Sequence, residues 1–171
     1  MLLPSILVDI LAFGHIISAM SWLGAGLLIT FVVGPNVKTL APAAALEFNA
    51  KVLPRILRFI QAAIGSTLVF GLLLMYFLYD GDLAWLSRSN QGLAIMIGVV
   101  LALVASGVVF SLTVPSFKKV IKIAGEAVAA GKPPAPEMMK YAKRARQGSL
   151  IAISLLLIVL AMMVAAGFNY P

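Results

Sequence analysis

The chain has 171 residues, of which 62% are hydrophobic and only 11% are charged. Soluble domains carry about 25% charged residues, so this composition excludes an ordinary soluble protein and is typical of one that crosses a membrane. The chain contains no cysteine, which excludes disulfides, thiolate metal sites and cysteine nucleophiles. Four spans of about 20 residues each would occupy roughly half of the chain, which predicts a single transmembrane domain.

Long, continuous apolar runs predict four transmembrane helices in an all-α bundle. Each run is long enough to cross a hydrocarbon layer of about 30 Å at about 1.5 Å per residue, and none shows the alternation of a membrane strand. The first run begins without Lys or Arg and continues to Val33, which predicts a retained helix and not a signal peptide. The predicted spans are residues 6–33, 56–79, 93–114 and 150–168. Glycine and proline are expected to mark span ends at Gly34-Pro35, Pro54, Gly81, Pro115 and Pro171.

The distribution of lysine and arginine predicts the orientation. The first connection, 34–55, carries three basic residues and the third, 115–148, carries eight. The second connection carries only Arg88, beside Asp80 and Asp82. Because basic loops remain in the cytoplasm, the first and third connections are predicted to be cytoplasmic, with both termini outside, in a multi-pass protein of the cell membrane. This topology accounts for the net charge of +7, so no nucleic-acid partner is expected.

The third connection is amphipathic in its first half. Apolar residues recur at helical spacing from Phe117 to Val128, opposite several lysines. This segment is expected either to lie along the lipid headgroups or to extend the third helix. Gly131 and the prolines of 133–136 should break it, and a second basic helix, 137–147, should lead into the fourth span. The basic surface is interpreted as an anchor for anionic lipid or, alternatively, as a docking surface for a partner.

The only histidine of the chain, His15, lies within the first predicted span. An ionisable residue at membrane depth marks a candidate functional site. Ser18 and Trp22 follow at three and seven residues, so they are predicted to share its helix face. Two interpretations stay open: a histidine that is hydrogen-bonded to a neighbouring helix, or a ligand of a metal or haem.

Methionines supply possible further ligands. Thioether and imidazole groups together favour Cu(I), so a copper site is one interpretation. The alternative is that these methionines fill gaps in helix packing. The predicted metal site consists of His15 with four methionines expected at roughly its depth: Met75, Met96, Met162 and Met163.

Small and polar residues in the middle spans form small-xxx-small patterns, such as Thr67 to Gly71 and Ala102 to Ser106. They are predicted to mediate helix packing, and association into a homo-oligomer or a larger membrane complex. No carboxylate dyad, nucleophile triad or phosphate-binding loop is recognisable, so the sequence does not favour an enzyme.

The stretch from His15 to Gly26, HIISAMSWLGAG, resembles the first helix of the CopD-like copper-resistance membrane proteins, where a histidine is followed seven residues later by Trp and a Gly-containing apolar run. Residues 31–35, 58–59 and 67–72 also look like that family. The resemblance implies a membrane protein that handles or transports copper. The same spacing is similar to the HemJ-like membrane proteins, which implies a haem-binding redox protein as the alternative. With one histidine, a bis-histidine haem is excluded within a monomer. A non-catalytic subunit of a larger membrane enzyme complex is the third interpretation.

Overall fold

The computed structural model describes residues 2–79 and 84–168, and within them every regular element is helical, as predicted. Four helices, here α1 to α4, are long and apolar enough to cross a membrane. Helical residues continue from α1 back to Leu2 and from α4 on to Phe168, and a single turn, Trp85–Arg88, precedes α3. The helices are α1 (Ile6–Val37), α2 (Pro42–Leu78), α3 (Asn90–Ala130) and α4 (Glu137–Ala166).

The four helices form two antiparallel pairs. Helix α1 packs along α2, α3 packs along α4, and α1 also touches α4. In the first pair, Gly14 lies beside Phe70, and Val33 lines the same groove as Arg55. The connections 38–41 and 131–136 therefore lie at one end of the bundle, here the basic end. The Trp85–Arg88 turn lies at the other, here the opposite end.

The bundle exposes much of its apolar side-chain surface. The side chains of Phe13, Met20 and Phe59 are 70%, 65% and 55% exposed. Large exposed apolar surfaces are unfavourable in water and are normal where lipid chains are the solvent. Most of the buried apolar residues form one core that includes Trp22, Leu57, Ile60, Ile64, Val109 and Leu156. Length, hydropathy and surface together define a multi-pass integral membrane protein.

Three turns of π-helix interrupt the long helices, each just before a proline. A proline lacks the backbone N–H and its ring clashes with the carbonyl four residues earlier, and a widened turn relieves that clash without ending the helix. The residues after two of these prolines also satisfy backbone carbonyls: Asn36 Nδ2 donates to Val32 O (2.7 Å) and Ser116 Oγ donates to Leu112 O (2.6 Å). The π-helical segments are Leu28–Val33, Phe48–Val52 and Val109–Thr113, before Pro35, Pro54 and Pro115.

The helices thus continue past three prolines that the sequence pattern places at span ends. Gly81 and Pro171, also expected at span ends, and the acidic residues Asp80 and Asp82 lie outside the described residues.

The amphipathic segment after Pro115 extends the third helix, which is one of its two expected arrangements. Its apolar face is covered by protein: Val120 and Ala124 are buried, and the segment packs against the first turns of α2 and against α4. This apolar face is therefore not free to lie on lipid headgroups.

The break at Gly131 is confirmed. Gly131 adopts a left-handed conformation with φ of 60°, and its N–H donates to Val128 O (3.3 Å) while the N–H of Lys132 donates to Ala127 O (3.1 Å). This paired arrangement is a Schellman motif, which satisfies the last carbonyls of a helix. Helix α4 then begins at Glu137 and runs without interruption into the apolar segment, so the predicted lead-in helix is also confirmed.

Candidate functional site

His15 is held by two features of α2, which we call the His15 seat: the backbone carbonyl of Thr67 and the bare backbone of Gly71. The Nδ1 atom of His15 lies 2.9 Å from the oxygen of Thr67, and the imidazole is half-buried. A Cβ atom at position 71 would lie 2.8 Å from both Nδ1 and Cε1 of the ring. The ring therefore occupies the space that a side chain at 71 would fill, which is a physical reason for glycine there.

The hydrogen bond to Thr67 determines the tautomer of His15. A carbonyl oxygen can only accept a hydrogen bond, so Nδ1 carries the proton and donates it. In the neutral imidazole the lone pair then belongs to Nε2. Metal-binding histidines commonly show this arrangement, in which one nitrogen donates to a carbonyl and the other binds the metal. The geometry therefore leaves Nε2 as the nitrogen with the lone pair.

The predicted helix face of His15 is confirmed by burial. Ser18 and Trp22 are buried, with exposed fractions of 8% and 3%, and Trp22 belongs to the core. The hydroxyl of Ser18 donates to Gly14 O at 2.7 Å, so its hydrogen is used within α1. The ring of Phe70 covers Gly14, where a Cβ would come within 3.1 Å of its carbons. These contacts bring α1 and α2 close together around His15 and restrict the movement of its backbone.

Met75 is the predicted ligand that lies nearest to the seat along α2. Thr67, Gly71 and Met75 follow one another at intervals of four residues, so they lie along one face of the helix at steps of about 6 Å. The side chain of Met75 is half-buried. Of the four methionines, this one shares a helix face with the groups that hold the histidine.

The other predicted ligands lie on the second helix pair. The terminal methyl of Met163 lies against Gly98, where a Cβ would meet its Cε at 2.5 Å, and the Cβ of Met162 is close to the same glycine. Met96, on α3, is 39% exposed. Met163 therefore has a packing role between α3 and α4, and its membership of a ligand set with His15 stays a prediction.

The described residues contain no cluster of the side chains that most often bind metals. Among residues 2–79 and 84–168, no three His, Cys, Asp or Glu side chains come together. A soft metal bound at His15 would consequently take its other ligands from thioethers or backbone carbonyls of this chain, or from outside it. A shallow groove between α1 and α2 starts one turn from His15 and is lined mainly by Ile17, Ser18, Ser21, Phe59, Ala63 and Ser66.

Sequence patterns alone identify His15 but not its seat. Thr67 and Gly71 stand out in the sequence only as a small-xxx-small pair suited to helix packing. The signal that could have identified the seat is the depth of this pair in the membrane, because an antiparallel α2 brings Thr67 and Gly71 to the level of His15.

Comparisons of the chain with family models, with curated proteins and with solved structures found no match. The fold and the site define a class: a multi-pass, all-α membrane protein with a tautomer-fixed histidine between two of its helices.

Proposed function

We propose that this is a CopD-like protein of the cell membrane that handles copper, with Nε2 of His15 as a copper ligand. The observation that carries the proposal is the hydrogen bond from Nδ1 to Thr67 O, 2.9 Å long, which leaves the lone pair on Nε2. A metal ligand needs an unprotonated nitrogen, and this hydrogen bond assigns that role to Nε2 in the neutral imidazole.

The chemistry of the nearby residues supports a soft metal. Imidazole and thioether groups suit Cu(I), and the chain has eight methionines but no cysteine and no second histidine. Met75, on the same face of α2 as the seat, is the first candidate for a second ligand. Met96, Met162 and Met163 complete the proposed set. When bound, copper would be either the ion that is transferred or the centre of electron transfer. This chain would orient the imidazole and surround it with apolar groups.

The test separates the ligand from the packing role at the same residue. In His15→Asn, the side-chain amide can still donate to Thr67 O, but the chain loses its only imidazole lone pair. Cu(I) affinity, measured by competition with a chromophoric chelator, should fall by at least about tenfold, the lower end of the effect of changing even an outer-shell partner. Met75→Leu should weaken binding less. Met20→Leu is the matched control, because Met20 lies in the same helix but is 65% exposed.

An optical spectrum together with metal analysis of gently purified protein decides between copper and haem. Stoichiometric copper without a Soret band supports the proposal, and a Soret band that His15→Asn abolishes would replace it with a haem-binding redox protein. Absence of both contradicts the proposal and favours a non-catalytic subunit, and full copper occupancy in His15→Asn contradicts the assignment of His15 as the ligand.

We also propose that the bundle associates with other helices, as a homo-oligomer or in a larger membrane complex. Gly24 and Gly107 are exposed, and a Cβ at either position would meet nothing within 4 Å. Exposed small residues allow another helix to approach closely. Native mass spectrometry in mild detergent should find more than the monomer, and a purely monomeric spectrum without lost subunits would contradict this.

A further inference from the structure

A second groove between α1 and α2 lies nearer the basic end than the one beside His15. Leu28 and Val33 of α1 and Ile56 and Phe59 of α2 line its sides, and Arg55 lines it as well. Its volume is about 340 Å³. Leu28 and Phe59 are each 55% exposed, so the groove opens onto the outer surface of the bundle.

The groove combines a hydrocarbon-lined channel with one guanidinium group. Arg55 is exposed, and among the described residues it forms no ion pair. The acidic residue closest to it in sequence, Glu47, is paired with Lys51 at 3.3 Å. An arginine at the border of an apolar segment has phosphate as a favourable partner, because its planar donors match phosphate oxygens.

We propose that this groove binds one anionic phospholipid from the leaflet at the basic end, with an acyl chain between α1 and α2 and the phosphate on Arg55. The apolar lining matches an acyl chain, and the unpaired cation matches the charge of the headgroup. Basic pockets between transmembrane helices are known to take anionic headgroups. The volume is near the lower end of the range of about 300–1,000 Å³ for small-ligand pockets, which suits a chain segment better than a whole helix.

The proposal is independent of copper or haem, because it involves neither His15 nor any methionine. It also differs from a general attraction between a basic surface and anionic lipid. A specific site requires Arg55 itself and the space beside it, whereas a diffuse attraction depends on net charge alone.

The test uses two arginines that are matched in charge. Arg58 is exposed, lies three residues after Arg55 and does not line the groove. The protein is reconstituted in nanodiscs of mixed phosphatidylglycerol and phosphatidylcholine, and lipid retained after release into mild detergent is counted by native mass spectrometry. Arg55→Gln should lower retention of phosphatidylglycerol by roughly fivefold, the effect of one basic contact at a membrane surface, and Arg58→Gln should leave it nearly unchanged.

A third variant tests the acyl channel without changing charge. Ala25 also lines the groove, and Ala25→Leu should fill part of it and reduce the retained phosphatidylglycerol. Three results would each overturn the proposal. They are equal losses of phosphatidylglycerol in the two arginine variants, retention of phosphatidylcholine equal to that of phosphatidylglycerol, and unchanged retention in the Ala25→Leu protein. A protein subunit that is retained in place of lipid, and that Arg55→Gln releases, would overturn it as well.

Discussion

Replacing Gly71 by alanine is expected to displace His15 from its seat. The added methyl group would lie 2.8 Å from Nδ1 and from Cε1 of the imidazole. Because carbon atoms pack at about 3.5–4.0 Å, the ring would have to move by roughly 1 Å. Such a movement lengthens the 2.9 Å bond to Thr67 O past the hydrogen-bonding range and turns Nε2 away from its present position.

Three contributions determine how far Gly71→Ala changes the free energy of unfolding. Loss of the hydrogen bond destabilises by about 0.5–1.5 kcal/mol. Overpacking adds about 1–3 kcal/mol. Alanine in place of glycine within a helix offsets these by about 1 kcal/mol. The free energy of unfolding should therefore fall by roughly 2 kcal/mol.

Gly65 provides the matched control on the same helix. A Cβ at 65 meets nothing within 4 Å, so Gly65→Ala should gain up to about 1 kcal/mol from helix propensity alone. The two variants should thus differ by about 3 kcal/mol, which thermal unfolding in mild detergent followed by far-UV circular dichroism would measure. Cu(I) affinity, on the proposed function, should fall in Gly71→Ala and stay unchanged in Gly65→Ala.

A double-mutant cycle tests the cause. In a His15→Ala background the ring is absent, so Gly71→Ala should become neutral or stabilising. If Gly71→Ala unfolds like Gly65→Ala, or destabilises by the same amount with and without His15, the reasoning is wrong.

Two further predictions address orientation and the core. Because the native chain has no cysteine, single cysteines at Lys132 and Ser87, both exposed, should react with an impermeant thiol reagent from opposite sides of the membrane, and labelling from one side would contradict the orientation. The hydroxyl of Thr113 is buried without a hydrogen-bond partner among the described residues and lies against Gly148. Thr113→Val should therefore raise the free energy of unfolding by about 1 kcal/mol in thermal unfolding, since a buried unsatisfied polar group destabilises by about 1–3 kcal/mol, and a loss of stability would indicate a bound water or ion.

The sequence by itself determined the features that depend on local composition. Four long apolar runs give four helices, because each backbone in a hydrocarbon layer must satisfy its own hydrogen bonds. Gly131 ends α3 for an equally local reason, since the left-handed conformation favours glycine. The position of His15 within an apolar run is likewise visible in the sequence, and the rise of 1.5 Å per residue gives its depth. The orientation in the membrane, the binding of copper and the family resemblance stay predictions made from the sequence.

Only the tertiary structure decided which groups meet. Depth gives the level of a residue but not its direction around the helix axis or the neighbour that it faces, and these follow from packing between distant segments. The structure places His15 on Thr67 and Gly71 of α2, and it places Met163 against Gly98 of α3.

The prolines show the same limit of local rules. Taken locally, Pro54 and Pro115 favour the ends of helices, but a widened turn before each lets the helix continue. The extended α3 then packs its apolar face against α2 and α4, where burial of Val120 and Ala124 stabilises it. Long-range contacts of this kind determine the positions of side chains that a one-dimensional pattern leaves open, and the imidazole of His15 is the functional example.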